Sequence, residues 1–122
     1  MRQARSDPDA PDTPQELKAR ALRLLCDERY AEERAHVLAR KFGAARIRLD
    51  LRSRGVDQEI AERIATSAGA DDLGRARSIL RKRYAAPPAT REERAKRMRF
   101  LQQRGFAGEV IRAALGRDAD ED

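Results

Sequence analysis

The chain has 122 residues, 39% charged and 40% hydrophobic, which fits one small domain or a short array of repeats with a modest core. Lys and Arg number 27 against 21 Asp and Glu, and the formal net charge of +6 favours a polyanionic partner. The basic residues are 23 Arg and only 4 Lys, and the coding bias of a GC-rich genome explains this excess of Arg equally well.

Several classes of protein are disfavoured by the same counts. One cysteine and one histidine exclude an internal disulfide framework and disfavour a metal site. No catalytic triad can be assembled around the single His36, and residues 105–108 do not match a phosphate-binding loop. No apolar run is long enough to span a bilayer, and the first residues lack the apolar core of a secretory signal. We therefore expect a cytoplasmic protein that is not an enzyme, with no cofactor and no metal.

The residue inventory predicts helices rather than strands. Ala occurs 22 times and Leu 11 times, whereas Val, Ile and Thr together occur 11 times. Residues 1–12, rich in Asp and Pro, are predicted to be disordered. The Thr-Pro-Gln-Glu capping box at 13–16 begins a predicted helix over 13–25. A second helix is predicted over 28–42, capped by Asp27 and ended by Gly43.

Two more helices complete the first half of the chain. A helix over 44–54 presents Ile47 and Leu51 on one face and ends at Gly55, where a left-handed residue is favoured. Within this helix Arg46 is expected to pair with Asp50. Asp57 then caps a helix whose apolar residues recur at helical spacing.

The second half repeats this order of elements. Asp71 and Asp72 begin a helix that Pro87-Pro88 interrupts, and a second capping box at 90–93 begins a helix over 91–103. The inward residues of that helix are predicted to be Ala95, Met98 and Leu101, with Phe100 off this apolar face. Arg97 and Arg104 are predicted to form an exposed row. A last helix follows Gly105 and buries Phe106, Val110, Ile111 and Leu115.

The two halves are an internal repeat. The segment RIRLDLRSRGVDQEIAERIA at 46–65 aligns with RMRFLQQRGFAGEVIRAAL at 97–115, with Gly55 placed on Gly105. The pattern predicts an all-α fold of tandem three-helix, helix-turn-helix-like repeats, elongated and curved. The predicted segments are 1–12, 13–26 (one helix of a remnant first repeat), 27–70, 71–117 and the acidic tail 118–122. The predicted turn residues are Gly43, Gly55, Gly105 and Phe106.

Positive charge is concentrated in the segment 71–117. Residues 71–117 carry thirteen basic and five acidic residues, and 118–122 carry four acidic ones. This block is typical of a surface that contacts phosphates or an acidic protein, although a solvated helix face has the same pattern. The candidate contact residues are Arg48, Arg52, Arg81, Lys82, Arg83, Lys96, Arg97, Arg99 and Arg104. A cation near a helix C-terminus also has a purely structural explanation.

Sequence-specific DNA reading is not expected. The presumptive third helix of the first half carries Asp57, Glu59 and Glu62, which oppose the approach of phosphates. Aromatic residues amount to 4%, so stacking on single-stranded bases should not dominate binding. Any nucleic-acid contact is therefore expected to be non-specific.

These motifs resemble a known family. The run DERYAEERAHVLARKFGAARIRLDLRSRGVDQEI at 27–60 resembles the second three-helix repeat of RecX proteins, and 94–115, with FLQQRGFAGEVI, is similar to the third. Residues 15–25 resemble the opening helix of the first repeat, whose other two helices have no counterpart before Asp27.

The resemblance implies a regulatory function. RecX proteins are bacterial regulators of the RecA recombinase, so it implies a protein that binds the RecA–single-stranded DNA filament and mostly inhibits RecA ATPase and recombination activity, in DNA repair and SOS control. We expect the chain to be a monomer. The family has no catalytic residues to transfer. The alternative is a basic helical protein that binds nucleic acid non-specifically, without recombinase contact.

Overall fold

The computed structural model describes residues 13–116, and every regular element in that range is a helix. In chain order the elements are α1 (Pro14–Leu38), α2 (Ala44–Ser53), α3 (Gln58–Ala68), a 3-10 turn (Gly69–Asp71), α4 (Asp72–Arg83), α5 (Arg91–Gln103) and α6 (Gly108–Leu115). The prediction of an all-α repeat fold is confirmed. The predictions for 1–12 and 118–122 lie outside the described residues.

The helix α1 continues through the break that the sequence predicts. The helices expected over 13–25 and 28–42 form one helix, which ends at Leu38. The segment 15–42 contains neither Gly nor Pro, so no residue in it interrupts the backbone hydrogen bonds. The carboxylate of Asp27 accepts the N–H of Asp57 at 3.2 Å instead of capping a helix of its own.

A first core forms where α1 and α2 pack on α3. Ile47 and Leu51 are fully buried, and each contributes about 1.5–3 kcal/mol by leaving water. The other buried members of this cluster are Ala31, Ala35, Val56, Ile60, Ala61, Ile64 and Ala65. The core matches the predicted inward faces of α2 and α3.

A second, smaller core forms where α4 and α5 pack on α6. Its buried members are Ala76, Leu80, Leu101, Phe106 and Ile111. The prediction for α5 is corrected at one position, because Met98 is exposed. Phe100, which the sequence places off the apolar face, instead packs against this core.

The turns after α2 and α5 have the same geometry. Gly55 has φ +84° and Gly105 has φ +87°, a conformation that glycine adopts without strain. In each turn the residue after the glycine returns to the last helical turn, since Val56 N–H donates to Leu51 and Phe106 N–H donates to Leu101. This is the Schellman arrangement. The shared geometry supports the alignment that places Gly55 on Gly105, fifty positions further along the chain.

The two repeats meet at a contact between glycines. Gly43 N–H donates to the carbonyl of Arg104 at 2.8 Å, and Ala45 N–H donates to the carbonyl of Gly105 at 3.2 Å. A Cβ on Gly43 would lie 2.5 Å from the carbonyl oxygen of Gly105. The backbones therefore approach more closely here than any side chain at Gly43 allows.

Asp72 closes the same junction from α4. It is buried at 6% exposure, and its carboxylate accepts the N–H of Ala44 at 3.0 Å. Because Gly43 offers no side-chain cap, Asp72 supplies one to α2 from a distant part of the chain. Arg75 neutralises the carboxylate at 3.0 Å and also donates to the carbonyl of Ala68.

Candidate functional site

Four of the nine candidate cations are engaged within the fold. Arg48 forms an ion pair with Glu62 at 2.6 Å. Arg97 donates to the carbonyl of Ala86 at 2.8 Å and Arg104 to that of Lys41 at 3.1 Å. The sequence places Arg97 and Arg104 in an exposed row, but both are half-buried. Arg83, the fourth, stacks on aromatic rings.

The other five candidates are exposed. Their side chains have no ion pair, hydrogen bond or ring contact with any residue in 13–116, and they are Arg52, Arg81, Lys82, Lys96 and Arg99. Lys96 and Arg99, together with Gln103, form one face of α5, which we call the α5 row. These cations are available to a partner at no cost in internal contacts.

Guanidinium groups and aromatic rings alternate across the junction. The series runs Arg97, Tyr84, Arg83, Phe100, Arg104, Phe42 and Arg46. The shortest distance is 4.0 Å, from the guanidinium carbon of Arg97 to the ring centroid of Tyr84. Each such contact contributes about 0.5–1 kcal/mol at exposed sites. The stacked cations thus bind the two repeats together while keeping their charge.

An open cleft of about 850 Å³ lies beside this series, and we call it the inter-repeat cleft. It is formed by the C-terminal end of α1 with the residues that follow it, by one face of α4, and by α5. Its cationic lining residues are Arg40, Lys41, Arg75, Lys82, Arg83 and Arg104. The remaining lining residues are His36, Ala39, Ser78, Ile79 and Phe100, so no carboxylate lines the cleft.

The cleft brings together three of the predicted contact cations and three cations that the sequence analysis did not select. Lys82, Arg83 and Arg104 were predicted, whereas Arg40, Lys41 and Arg75 were not. One signal was present in the sequence, because Arg75 and Lys82 are seven residues apart and share a helix face. No sequence signal brings residue 40 against that face, since this depends on the Gly43–Gly105 contact.

Away from the cleft, Asp50 joins α1 to α2. Arg34 donates two hydrogen bonds to its carboxylate, at 2.9 and 3.0 Å, and Arg54 adds a third at 3.0 Å. These contacts, chiefly the hydrogen bonds from Arg34, hold the pKa of the Asp50 carboxyl below its ordinary value. The expected pairing of Asp50 with Arg46 is wrong, because Arg46 reaches over the junction to the carbonyl of Gln103.

The described residues contain no helix long and apolar enough to cross a membrane. The N-terminal half of α1 nevertheless carries four exposed leucines, Leu17, Leu22, Leu24 and Leu25. None of these belongs to either core cluster.

Two family models match the chain. The second three-helix domain of RecX matches residues 27–63, and the third matches residues 70–115. The two domain matches together cover more than half of the chain. The first spans most of the first core and the second spans the second core.

Curated relatives carry the same name. The chain is 41% identical over 93 residues to the regulatory protein RecX of Herbaspirillum seropedicae, covering 76% of this chain and 60% of the relative. It is 41% identical over 96 residues to that of Chromobacterium violaceum, covering 79% and 62%. It is 31% identical over 103 residues to that of Herminiimonas arsenicoxydans, covering 84% and 68%.

The chain thus spans about three-fifths of the length of the first two of these relatives. No solved structure gives a significant match. The two domain matches and the three relatives agree on one assignment. The chain belongs to the RecX family of regulatory proteins.

Proposed function

We propose that this chain binds the RecA–single-stranded DNA filament and modulates, mostly by inhibition, the ATPase and recombination activity of RecA, in DNA repair and SOS control. It acts in the cytoplasm as a monomer and catalyses no reaction. The observation that carries the proposal is the pair of RecX domain matches over 27–63 and 70–115. The two repeats that those matches cover are the ones built around the cationic junction.

The distribution of charge supports a filament as the partner. Five candidate cations on α2, α4 and α5 have no internal partner among residues 13–116, so their charge is directed to solvent. A repeating polyanion such as a nucleoprotein filament can engage several such cations along one array. The α5 row is the best placed for this, since its three side chains are all exposed on one helix face.

The test is ATP hydrolysis by preassembled RecA–single-stranded DNA filaments as this protein is added. We expect inhibition below one chain per RecA subunit. The double variant Lys96→Glu/Arg99→Glu should need about tenfold more protein for the same inhibition. The matched control Lys18→Glu/Arg23→Glu has the same charge change on exposed positions of α1 and should inhibit as the wild type does. A folded wild-type chain without effect on the filament refutes the proposal.

The alternative function is non-specific nucleic-acid binding without recombinase contact. The exposed cations favour it as much as they favour a filament, because both partners present phosphates. Binding to bare single-stranded DNA that weakens steeply with salt, and that RecA does not strengthen, supports this alternative. Binding that requires RecA supports the first proposal.

A further inference from the structure

We propose that the inter-repeat cleft binds an acidic segment of a partner protein, with an aliphatic side chain on the cleft floor and carboxylates on its cationic rim. This inference rests on the proposed function, and it assigns the cleft to the protein component of the filament rather than to its DNA. It concerns a different surface from the α5 row.

The charge of the cleft is uncompensated. Asp72 neutralises Arg75, but the other five cations of the cleft have no carboxylate partner among residues 13–116. Five positive charges around one concave opening raise the local concentration of anions. The open cleft of about 850 Å³ has room for a group larger than a single ion.

The floor of the cleft favours an aliphatic group over a nucleobase. Ala39 and Ile79 are half-buried apolar residues that line it. The ring of Phe100 already has the guanidinium carbons of Arg83 and Arg104 at 4.5 and 4.8 Å from its centroid. A base would have to displace a guanidinium to stack there, so the usual gain from stacking on an aromatic ring is reduced.

The cleft also lacks the backbone donors that usually hold a phosphate. It lies against the C-terminal ends of α1 and α4, where carbonyl groups rather than N–H groups are unpaired. The helix α2 begins a few residues after α1 ends, but the N–H groups at its start already have acceptors. Those of Gly43, Ala44 and Ala45 donate to oxygens of Arg104, Asp72 and Gly105, respectively. Side-chain cations over an apolar floor suit dispersed carboxylates better than a phosphodiester strand.

The test titrates charge-matched probes into the 15N-labelled full chain. The probes are the peptide acetyl-Asp-Glu-Asp-Leu-Asp-Glu-Asp-amide, the same peptide with Ser in place of Leu, and an oligothymidylate with as many negative charges. We expect the leucine peptide to shift the amide signals of Ile79 and Lys82, and to bind several-fold more tightly than the serine peptide. Arg40→Glu/Lys82→Glu should weaken it about tenfold, whereas Lys96→Glu/Arg99→Glu should change it less than twofold.

Three results overturn the inference. They are no shift in the cleft with either peptide, equal weakening by both double variants, and tighter binding of the oligothymidylate in the cleft. Circular dichroism shows that each variant is folded, and Arg40→Gln/Lys82→Gln gives an intermediate loss if charge is the cause. Filament ATPase is measured in parallel. A wild-type chain that binds the peptide in the cleft but leaves the filament unaffected refutes the proposed function and supports the cleft as a peptide site.

Discussion

Substitution of Gly43 by alanine should uncouple the two repeats. Gly43 has φ −88°, which alanine adopts freely, so the substitution introduces no backbone strain of its own. The new methyl group would lie 2.5 Å from the carbonyl oxygen of Gly105 and 2.9 Å from the Cα of Phe106. Both are backbone atoms of a turn packed on the second core, so they cannot swing away as a flexible side chain would.

The expected loss follows from the contacts at this point. Relieving the overlap by local shifts costs about 1–3 kcal/mol, the usual range for overpacking. If the backbones separate instead, the two hydrogen bonds from Gly43 and Ala45 are lost, at about 1 kcal/mol each. By either route the free energy of unfolding should fall by about 1–3 kcal/mol, a large fraction of the roughly 5–15 kcal/mol that stabilises a small domain.

Urea unfolding followed by circular dichroism measures this loss, with two glycine-to-alanine controls. Gly55 has nothing within 4 Å of a Cβ position but has φ +84°, so Gly55→Ala isolates conformational strain of about 1–2 kcal/mol. Gly108, at the start of α6, should tolerate alanine with no loss or a small gain. If Gly43→Ala is as mild as Gly108→Ala, the close approach of the two repeats is not a determinant of stability.

Three further changes test other contacts. Folding lowers the pKa of Asp50, so the ionised carboxylate stabilises the fold above its ordinary pKa of 3.8. This stabilisation is lost as the pH falls through the lower pKa of the folded state. The urea midpoint should therefore fall more steeply in acid for the wild type than for Asp50→Asn. Asp72→Ala should lower the free energy of unfolding by about 2 kcal/mol in the same assay, since α2 loses its cap and the half-buried Arg75 loses its carboxylate partner. Asp72→Asn keeps an acceptor and should lose less. Arg97→Ala should lower the melting temperature by a few degrees, because a ring contact and a hydrogen bond are lost, whereas Arg99→Ala should leave it unchanged. The opposite order of the two arginine variants would show that the exposed cation is the structural one.

The apolar pattern of the sequence predicts most of the helices, because each depends on residues within a few positions. Ile47 and Leu51 recur at helical spacing and are fully buried. The capping box at Thr13 forms as predicted, with Glu16 N–H donating to the threonine hydroxyl at 3.1 Å. The glycines after α2 and α5 adopt the left-handed conformation that local chemistry favours there.

Contacts between distant residues decide what the sequence leaves open. Asp27 was interpreted as a helix start, but it accepts an N–H from a residue thirty positions away. Asp72 begins α4 as predicted, but its carboxylate also caps α2, a contact that no local pattern indicates. The cleft arises in the same way, since its cations come from three elements whose proximity depends on the Gly43–Gly105 contact. Where a side chain can make either a local or a distant contact of the same kind, the sequence alone does not show which contact it makes.

The two halves of the continuous helix α1 lie in different environments, and they should therefore differ in local stability. From Ala31 onward the helix packs on the first core, so opening of its backbone hydrogen bonds requires the core itself to loosen. From Pro14 to about Cys26 its side chains are exposed, and the helix depends on its capping box and on local propensity. An isolated helix of that length is marginal in water. Amide protons in the first half should therefore exchange with solvent long before those in the second, because the hydrogen bonds of the first half open more often.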